Sequence, residues 1–359
     1  MVRLLHVSDT HLGYRQYHSD QRREDFMDAW RQCVDIANEE GVDALIHTGD
    51  LYHSKNPDLE TQIDVAEQIR RLECPFLPIV GNHERKRDRQ FVDHLEMGFD
   101  NVTPIVQNAP IEIGDVSIHG WDAIPSTEWD ATDLTIPETR TAYDIVCLHH
   151  LVSPIVPDRY DPYRATKILN RFERDVDAVL LGDYHATVFE ELHGTVLSYP
   201  GSTERTSVEE PGDKSVTLWE TGDQLTHETV PLETRPFHRV QVEIRDSPLD
   251  EIRSRLDDED LDGSVTEVIL TGERVDVNKS QIHRLVETSG AEISRVTDNR
   301  ETETEDMTTV DWDASDIEST LDEQIAELEL SDTAQGIEDI VRDLDVKKTH
   351  VRDEASDLI

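Results

Sequence analysis

A chain of 359 residues can bury a large core and is expected to exceed one domain. Its 79 Asp and Glu stand against 34 Lys and Arg, only 7 of them Lys, for a formal net charge of −45. Such a surface suits a cytoplasm holding molar salt, where screening shortens the reach of self-repulsion, and disorder is excluded by apolar runs that recur through the first 300 residues.

The start of the chain, residues 1–7, reads as a strand too short for a signal peptide. No stretch approaches about 18 apolar residues, so nothing points to a membrane. Short apolar runs at 4–7, 44–46, 78–80, 145–148 and 178–181 read as buried strands. Helical periodicity runs over 20–40, capped by Ser19 or Asp20, and over 58–73. Segments 111–121, 188–199 and 215–230 pair strands across Gly-containing turns, as hairpins rather than crossovers. The pattern predicts an α/β fold, a two-sheet sandwich with helices outside, over 1–234. A joint at Thr234-Arg235-Pro236-Phe237 leads to strand, helix, strand, helix, strand over 235–299, a small α+β module. Residues 300–315 are polar and acidic without periodicity, as linkers are. Two amphipathic segments follow over 316–359, with stripes of Ile317, Leu321, Ile325 and Leu328, then Ile337, Ile340, Val341 and Leu344. Residues 301–359 hold 20 acids against 4 Lys or Arg, which excludes a DNA arm; narrow apolar stripes on a linker suit a partner's groove or helices. Cys33, Cys74 and Cys147 lack Cys-x-x-Cys spacing and sit in apolar segments, as reduced packing residues do.

Each of the five buried runs is followed by a polar block: Asp9-Thr10-His11, Gly49-Asp50, Gly81-Asn82-His83-Glu84, His149-His150 and Gly182-Asp183-Tyr184-His185. Strand carboxyl ends are where open α/β sheets place their sites. Alone, each block is ordinary: a strand-end turn at Asp9 and His11, a left-handed turn at Gly49-Asp50, a helix cap at Asn82-His83. In one order, their carboxylates, imidazoles and carboxamide suit a pair of hard or borderline divalent cations, with Asp50 able to bridge. Two such ions can grip one phosphate, ionise a water and offset charge on the attacking and leaving oxygens, so the implied reaction is phosphoester hydrolysis. His150 reads as structural, His6, His47 and His119 as core or rim histidines inside strands, and His18 is assigned nothing.

At these blocks the chain resembles the calcineurin-like metallophosphoesterases. His-Val-Ser-Asp-Thr-His-Leu-Gly at 6–13, Gly-Asp-Leu-Tyr-His at 49–53 and Gly-Asn-His-Glu at 81–84 resemble more closely the nuclease subunit of the double-strand-break repair complex, the meiotic-recombination-eleven family. The resemblance is strong over residues 1 to about 235 and weak beyond. It implies Asp9, His11, Asp50 and His185 as ligands of one metal, and Asp50, Asn82 and His149 as holders of the other. It makes His83 the group that stabilises the transition state or protonates the leaving 3′ oxygen, and His53 the group that positions the phosphate strand, roles that suit imidazole. The family usually has Gly-His-x-His where this chain has Gly182-Asp183-Tyr184-His185, so Asp183 stands in a ligand's place and shifts the site toward harder ions, manganese or magnesium rather than zinc. The resemblance also implies that the small module caps the DNA groove, that the tail binds the base of an SMC-like ATPase's coiled coil, and that the first domain's helices form a homodimer.

A nuclease must approach a polyanion, and here basicity is local. Arg85, Lys86, Arg87 and Arg89 follow the third block, and Arg15, Arg22, Arg23 and Lys55 follow the first two, as phosphate contacts would; Tyr14 and Tyr17 could stack on bases. The resulting expectation is a DNA exonuclease and endonuclease for double-strand-break repair, with two Mn2+ per chain and Mg2+ as substitute, partnered by an SMC-like ATPase in the cytoplasm. Two alternatives stand beside it: a small-molecule phosphodiesterase of the same superfamily, and a scaffold that regulates the ATPase with a metal site weakened by Asp183.

Overall fold

The five buried runs fall in strands of two sheets packed face to face, four of them inside their sheet and Phe76–Ile79 at the end of its own. The computed structural model describes residues 1–86, 90–210, 212–273 and 275–300. One sheet has the order Thr226–Pro231, Ser215–Glu220, Arg3–Val7, Ala44–Thr48, Phe76–Ile79. The other runs Val188–Leu192, Thr195–Tyr199, Ala178–Gly182, Tyr143–His149, Val116–Gly120, Ile111–Ile113. Arg3–Val7, Ala44–Thr48 and Phe76–Ile79 are mutually parallel, as are Tyr143–His149 and Ala178–Gly182, so within each sheet the carboxyl ends point one way.

These strands read as continuous apolar runs because both of their faces are covered. Leu4, Ile46, Leu77, Ile145, Cys147, Ala178 and Leu180 meet between the sheets. Leu5, Val7, Leu45 and Phe76 face outward into a cluster with Met27, Trp30, Val34 and Ile69. On the far side, Val146, Leu148, Val179 and Leu181 pack with Trp121, Trp129, Ile168 and Phe172. The first outer helix is capped as expected, the Ser19 hydroxyl accepting the Arg22 N–H ahead of Asp20–Glu39, while Asp58, expected inside the second helix, caps it instead, accepting the Thr61 N–H at 2.8 Å ahead of Leu59–Arg71. A third helix, Phe91–Gly98, opens at Gln90, and a short fourth spans Ala165–Arg171. All three expected hairpins form as antiparallel pairs.

Beyond the joint, Phe237–Ile244, Val265–Gly272 and Ile293–Asp298 make a parallel three-stranded sheet, linked by the helices Pro248–Leu256 and Lys279–Thr288. It encloses its own core of Val240, Val242, Ile252, Leu256, Val268, Leu270, Ile282 and Val286. Charge ties it to the sandwich. The Arg235 guanidinium donates to both oxygens of Asp25, at 2.6 and 2.7 Å, and the fully buried Arg22 donates to Asp25 at 2.6 Å while lying 4.9 Å from the ring of Phe237. Met1–Asn299 holds together as one unit by contact. The expected linker past Arg300 and the stripes of Ile317, Leu321, Ile325, Leu328, Ile337, Ile340, Val341 and Leu344 fall outside the described residues. No helix among the described residues is long and apolar enough to cross a membrane.

Candidate metal centre

The strand ends turn sharply enough to aim their side chains at one another. Asp9, His11, Asp50 and Asp183 all sit at positive φ, at 51°, 45°, 56° and 83°. Backbone of this kind persists in non-glycine residues only where its surroundings over-determine it. Here the loops are knitted together. The Asp9 N–H donates to Gly49 O at 3.1 Å, and the His11 N–H to Asp50 O at 2.9 Å. The buried Glu84 carboxylate accepts the N–H groups of Tyr52 (2.9 Å) and Gly81 (3.2 Å), joining the second block to the third. Two glycines allow the closest approaches: a Cβ at Gly81 would stand 2.0 Å from Asp50 Oδ1, and one at Gly182 would stand 2.3 Å from Thr48 O.

Asp50 lies at the centre. Its Oδ2 is 3.4 Å from His149 Nε2, 3.9 Å from His11 Nε2 and 4.0 Å from His83 Nε2. His149 is fixed by a hydrogen bond of 2.7 Å between Nδ1 and the Thr48 carbonyl, so its Nε2 is turned toward Asn82 Oδ1 at 3.0 Å and Asp183 Oδ1 at 3.9 Å. On the other flank, His11 Nε2 and His185 Nε2 face each other at 3.2 Å, with Asp9 Oδ1 3.8 Å from His185. Side chains of the first, third and fourth blocks thus face the Asp50 carboxylate, and the fifth joins them through His149 and Asp9.

Protonation shows a deficit of positive charge. Burial lowers the pKa of His149, but the Asp50 carboxylate, followed by Asp9 and Asp183, raises it well above the usual imidazole range. Burial pushes Asp9 up to about 6, whereas His149 holds Asp50 below the ordinary carboxylate range despite its burial. A donor set that draws a proton onto a fully buried imidazole fits divalent cations. Among the described residues, three clusters have metal-ligand spacing: Asp9, His11 and His185; Asp9, Asp50 and His149; and His11, His53 and His83. The first holds three of the four residues expected around one ion, the second holds Asp50 and His149 of the other set with Asp9 in the place expected for Asn82, and Asp183 lies 3.9 Å from His149. When bound, two divalent ions lower the pKa of water and offset charge on an attacked phosphate.

His83 is 41% exposed. Its N–H donates to Asp50 Oδ1 at 2.9 Å, and its Nδ1 lies 3.2 Å from the His53 carbonyl, which stands the ring over the central carboxylate. His53 stacks on Tyr14 with centroids 3.8 Å apart and 5.2 Å from the His83 ring; burial lowers its pKa to about 4. Lys55, Arg85 and Lys86 line a cavity of about 910 Å³ that includes Asn82, so these three of the expected phosphate contacts adjoin a candidate ligand. Arg85 also reaches Glu128 at 3.4 Å. Arg15 lies outside that cavity's lining and is paired with Asp20 and Asp58, while Arg87 and Arg89 fall outside the described residues.

Two expectations need correction. Arg22 is not a phosphate contact: it is fully buried, bound to Gln16, Asp25 and the Arg205 carbonyl. Arg23 pairs with Glu60 at 3.0 Å and Asp64 at 3.4 Å. The half-buried Tyr14 stacks on His53, and the half-buried Tyr17 has Arg295 5.6 Å from its ring, so each has one ring contact already made. The structural histidines are as expected. His6 bonds Thr48 Oγ1 (2.9 Å), His47 bonds Thr10 Oγ1 (3.1 Å), His119 bonds Asp144 (2.9 Å), and His150 accepts the Ile124 N–H (3.2 Å). Sequence reasoning missed Glu84, Thr48 and the group behind His185, namely Thr206, Glu210 and Lys214. Only Glu84 carried a signal, as the last residue of its block.

The calcineurin-like phosphoesterase family matches residues 2–187, more than half of the chain and all of the candidate ligands. The chain belongs to that family. The DNA double-strand break repair protein Mre11 of Haloferax volcanii is 34% identical over 365 residues, spanning 100% of this chain and 81% of that protein. The Mre11 protein of Halobacterium salinarum is 33% identical, spanning 98% of this chain and 92% of its own length. Within the phosphoesterases, the chain is therefore a member of the Mre11 branch. A dimetal phosphatase from Danio rerio is similar in structure at 11% identity and a TM-score of 0.45, over 64% of this chain and 96% of that one. Membership makes the chain a metal-dependent phosphoesterase with a dinuclear divalent-metal site.

Proposed function

We propose that the protein is a manganese-dependent DNA nuclease that cuts phosphodiester bonds at and near double-strand ends, working with an SMC-like ATPase. The observation that carries this reading is the meeting of the blocks around Asp50, with His11, His83 and His149 facing its carboxylate and with Asp183 and His185 facing His149 and Asp9, beside a basic-lined cavity. Asp9, His11 and His185 hold one ion; Asn82, His149 and Asp183 hold the other; Asp50 bridges. Asp183, a carboxylate where the family has imidazole, favours Mn2+ or Mg2+ over softer ions. His83 faces the departing 3′ oxygen and gives it a proton, and its half-exposed ring can reach a bound strand. His53 steadies the phosphate, while Lys55, Arg85 and Lys86 neutralise its neighbours along the cavity. Residues 1–234 are the nuclease domain, 235–299 the cap, 300–315 a linker and 316–359 the tail that recruits the ATPase. Two subunits pair through the first domain's helices, in a high-salt cytoplasm.

The test uses purified full-length protein in molar salt with Mn2+, offered end-labelled duplex, closed circular single strands and bis-p-nitrophenyl phosphate. A nuclease degrades the first and cuts the second. Hydrolysis of the ester alone would replace this reading with a small-molecule phosphodiesterase, and inertness toward all three with a scaffold. Truncation after Thr309 should abolish co-purification with the ATPase and spare Mn2+-dependent cleavage of short single strands.

A further inference from the structure

His185 directs Nε2 toward Asp9 and His11, so its aim depends on what holds the other ring nitrogen. That nitrogen, Nδ1, lies 2.8 Å from Glu210 Oε1 and 2.9 Å from Thr206 Oγ1. The Thr206 hydroxyl itself donates to Glu210, as does the Thr206 N–H at 3.1 Å, which leaves the carboxylate as acceptor of the ring proton. The second carboxylate oxygen accepts from the Ser202 hydroxyl at 3.2 Å and from the Lys214 ammonium. Lys214 is almost completely buried, and its Nζ donates also to Ser202 Oγ at 2.7 Å and to the backbone carbonyl of His185 at 3.2 Å. One buried cation thus fastens both the main chain of the candidate ligand and the carboxylate behind its ring.

We propose that Glu210, clamped by Lys214, is a positioning residue for His185: it fixes the Nδ1–H tautomer and keeps the Nε2 lone pair aimed at the ion shared with Asp9 and His11. The inference rests on the two-metal reading above. It explains why an ion pair is kept in a buried place, where desolvation offsets most of the attraction and an apolar pair would fold as well. The 3.2 Å between His11 Nε2 and His185 Nε2 lets the two rings hydrogen-bond to each other when no ion is bound, so a restraint on a far ring nitrogen is needed to keep a lone pair aimed at the ion. The partner ring cannot supply that restraint, because His11 Nδ1 has no hydrogen-bond partner among the described residues. Carboxylates placed behind metal-binding imidazoles act in this way generally, and losing one costs about 10–100-fold in metal affinity.

Mn2+ titrated calorimetrically into the metal-free full chain in molar salt tests this with Glu210→Ala and Glu210→Gln. The parent should take two ions. Glu210→Ala should weaken one of them by about 10–100-fold and leave the other unchanged, and Glu210→Gln, whose amide oxygen still accepts the ring N–H, should lose less. The nitrogen-15 resonances of His185 in metal-free protein supply a second readout: Nδ1 protonated in the parent, a mixture of tautomers in the alanine variant. If stranding Lys214 unfolds that variant, Glu210→Ala combined with Lys214→Met removes the bare cation and carries the same expectation. The nearly isosteric Glu210→Gln remains measurable in either case. A parent that binds no pair of ions overturns the two-metal reading. A parent that binds two, beside a folded Glu210 variant with parental affinities and tautomer, overturns the role of Glu210 alone.

Discussion

Gly81→Ala probes the closest approach between the loops that carry Asp50 and Asn82. The added methyl would stand 2.0 Å from Asp50 Oδ1 and 2.2 Å from the Asp50 amide nitrogen, where ordinary contact begins near 3.4 Å, so about 1.4 Å of room is missing. The carboxylate cannot swing clear, because Oδ1 accepts the His83 N–H at 2.9 Å and Oδ2 is held against His149. The amide cannot retreat either, since Asp50 sits at φ 56° in a loop whose carbonyls accept the N–H groups of Asp9 and His11. The candidate bridging carboxylate should therefore move by about 1 Å, a misplacement that costs roughly 10²-fold in rate, equivalent to about 2.7 kcal/mol of barrier. Overpacking should remove about 1–3 kcal/mol of stability, lowering Tm by roughly 2–4 °C per kcal/mol. Hydrolysis rate, Mn2+ titration and calorimetric melting on one preparation check all three effects, and activity should suffer far more than folding. A variant that hydrolyses at close to the parental rate with both ions bound would refute the reasoning.

His83→Gln should lower hydrolysis by about 10²–10⁴-fold while two ions stay bound; anomalous scattering that finds a single ion would instead make His83 a ligand, within its cluster with His11 and His53. Asp183→His should keep activity and move metal preference toward softer ions, and Asp183→Ala should weaken one ion; manganese titration identical to the parent's would show that Asp183 holds none. Burial keeps His6 and His47 neutral, with pKa values of about 3, while the unfolded chain protonates them below about 6.5. Their contribution to stability is therefore complete above pH 6.5 and lost as pH falls toward 3, at about 1.4 kcal/mol per pH unit for each histidine. Denaturant melts of parent and His47→Gln at pH 7 and pH 5 should show a smaller pH loss in the variant, and equal losses would contradict this account. Dilution from 1 M to 0.01 M salt should unfold the chain, because the Debye length grows from about 3 to 30 Å and the excess carboxylates repel unscreened; a native circular dichroism spectrum at low salt would overturn that.

The ligand blocks were legible because each lies one to five residues past an apolar run, and strands covered on both faces announce themselves as such runs. Asp9, Asp50 and Asp183 could be placed at strand ends before any coordinate was known. Ala165–Arg171 was not, since seven residues span barely two turns and give periodicity too little length to register. Nor could the fate of individual cations be read. Arg22 and Lys55 look alike as basic residues after a block, yet Arg22 is enclosed between its near neighbours Gln16 and Asp25 and the carbonyl of Arg205, 183 positions away, which only the fold brings to it. Glu210 is 25 positions from His185 and reaches it through the tertiary path of the intervening hairpin.

The tie of Arg235 and Arg22 to Asp25 has a consequence at molar salt. Ion pairs on the surface, such as Arg15 with Asp20 or Arg245 with Glu243, are bathed in mobile ions and contribute little once salt is molar. In the pair that crosses to the small sheet, Arg235 is 15% exposed and Asp25 only 8%, and the fully buried Arg22 and the ring of Phe237 adjoin it, which leaves counterions little room to enter. The small sheet is thus anchored by the one kind of electrostatic contact that dissolved salt leaves intact. Its angle to the sandwich should stay constant across a range of ionic strength over which the surrounding acidic surface changes its effective charge many times over.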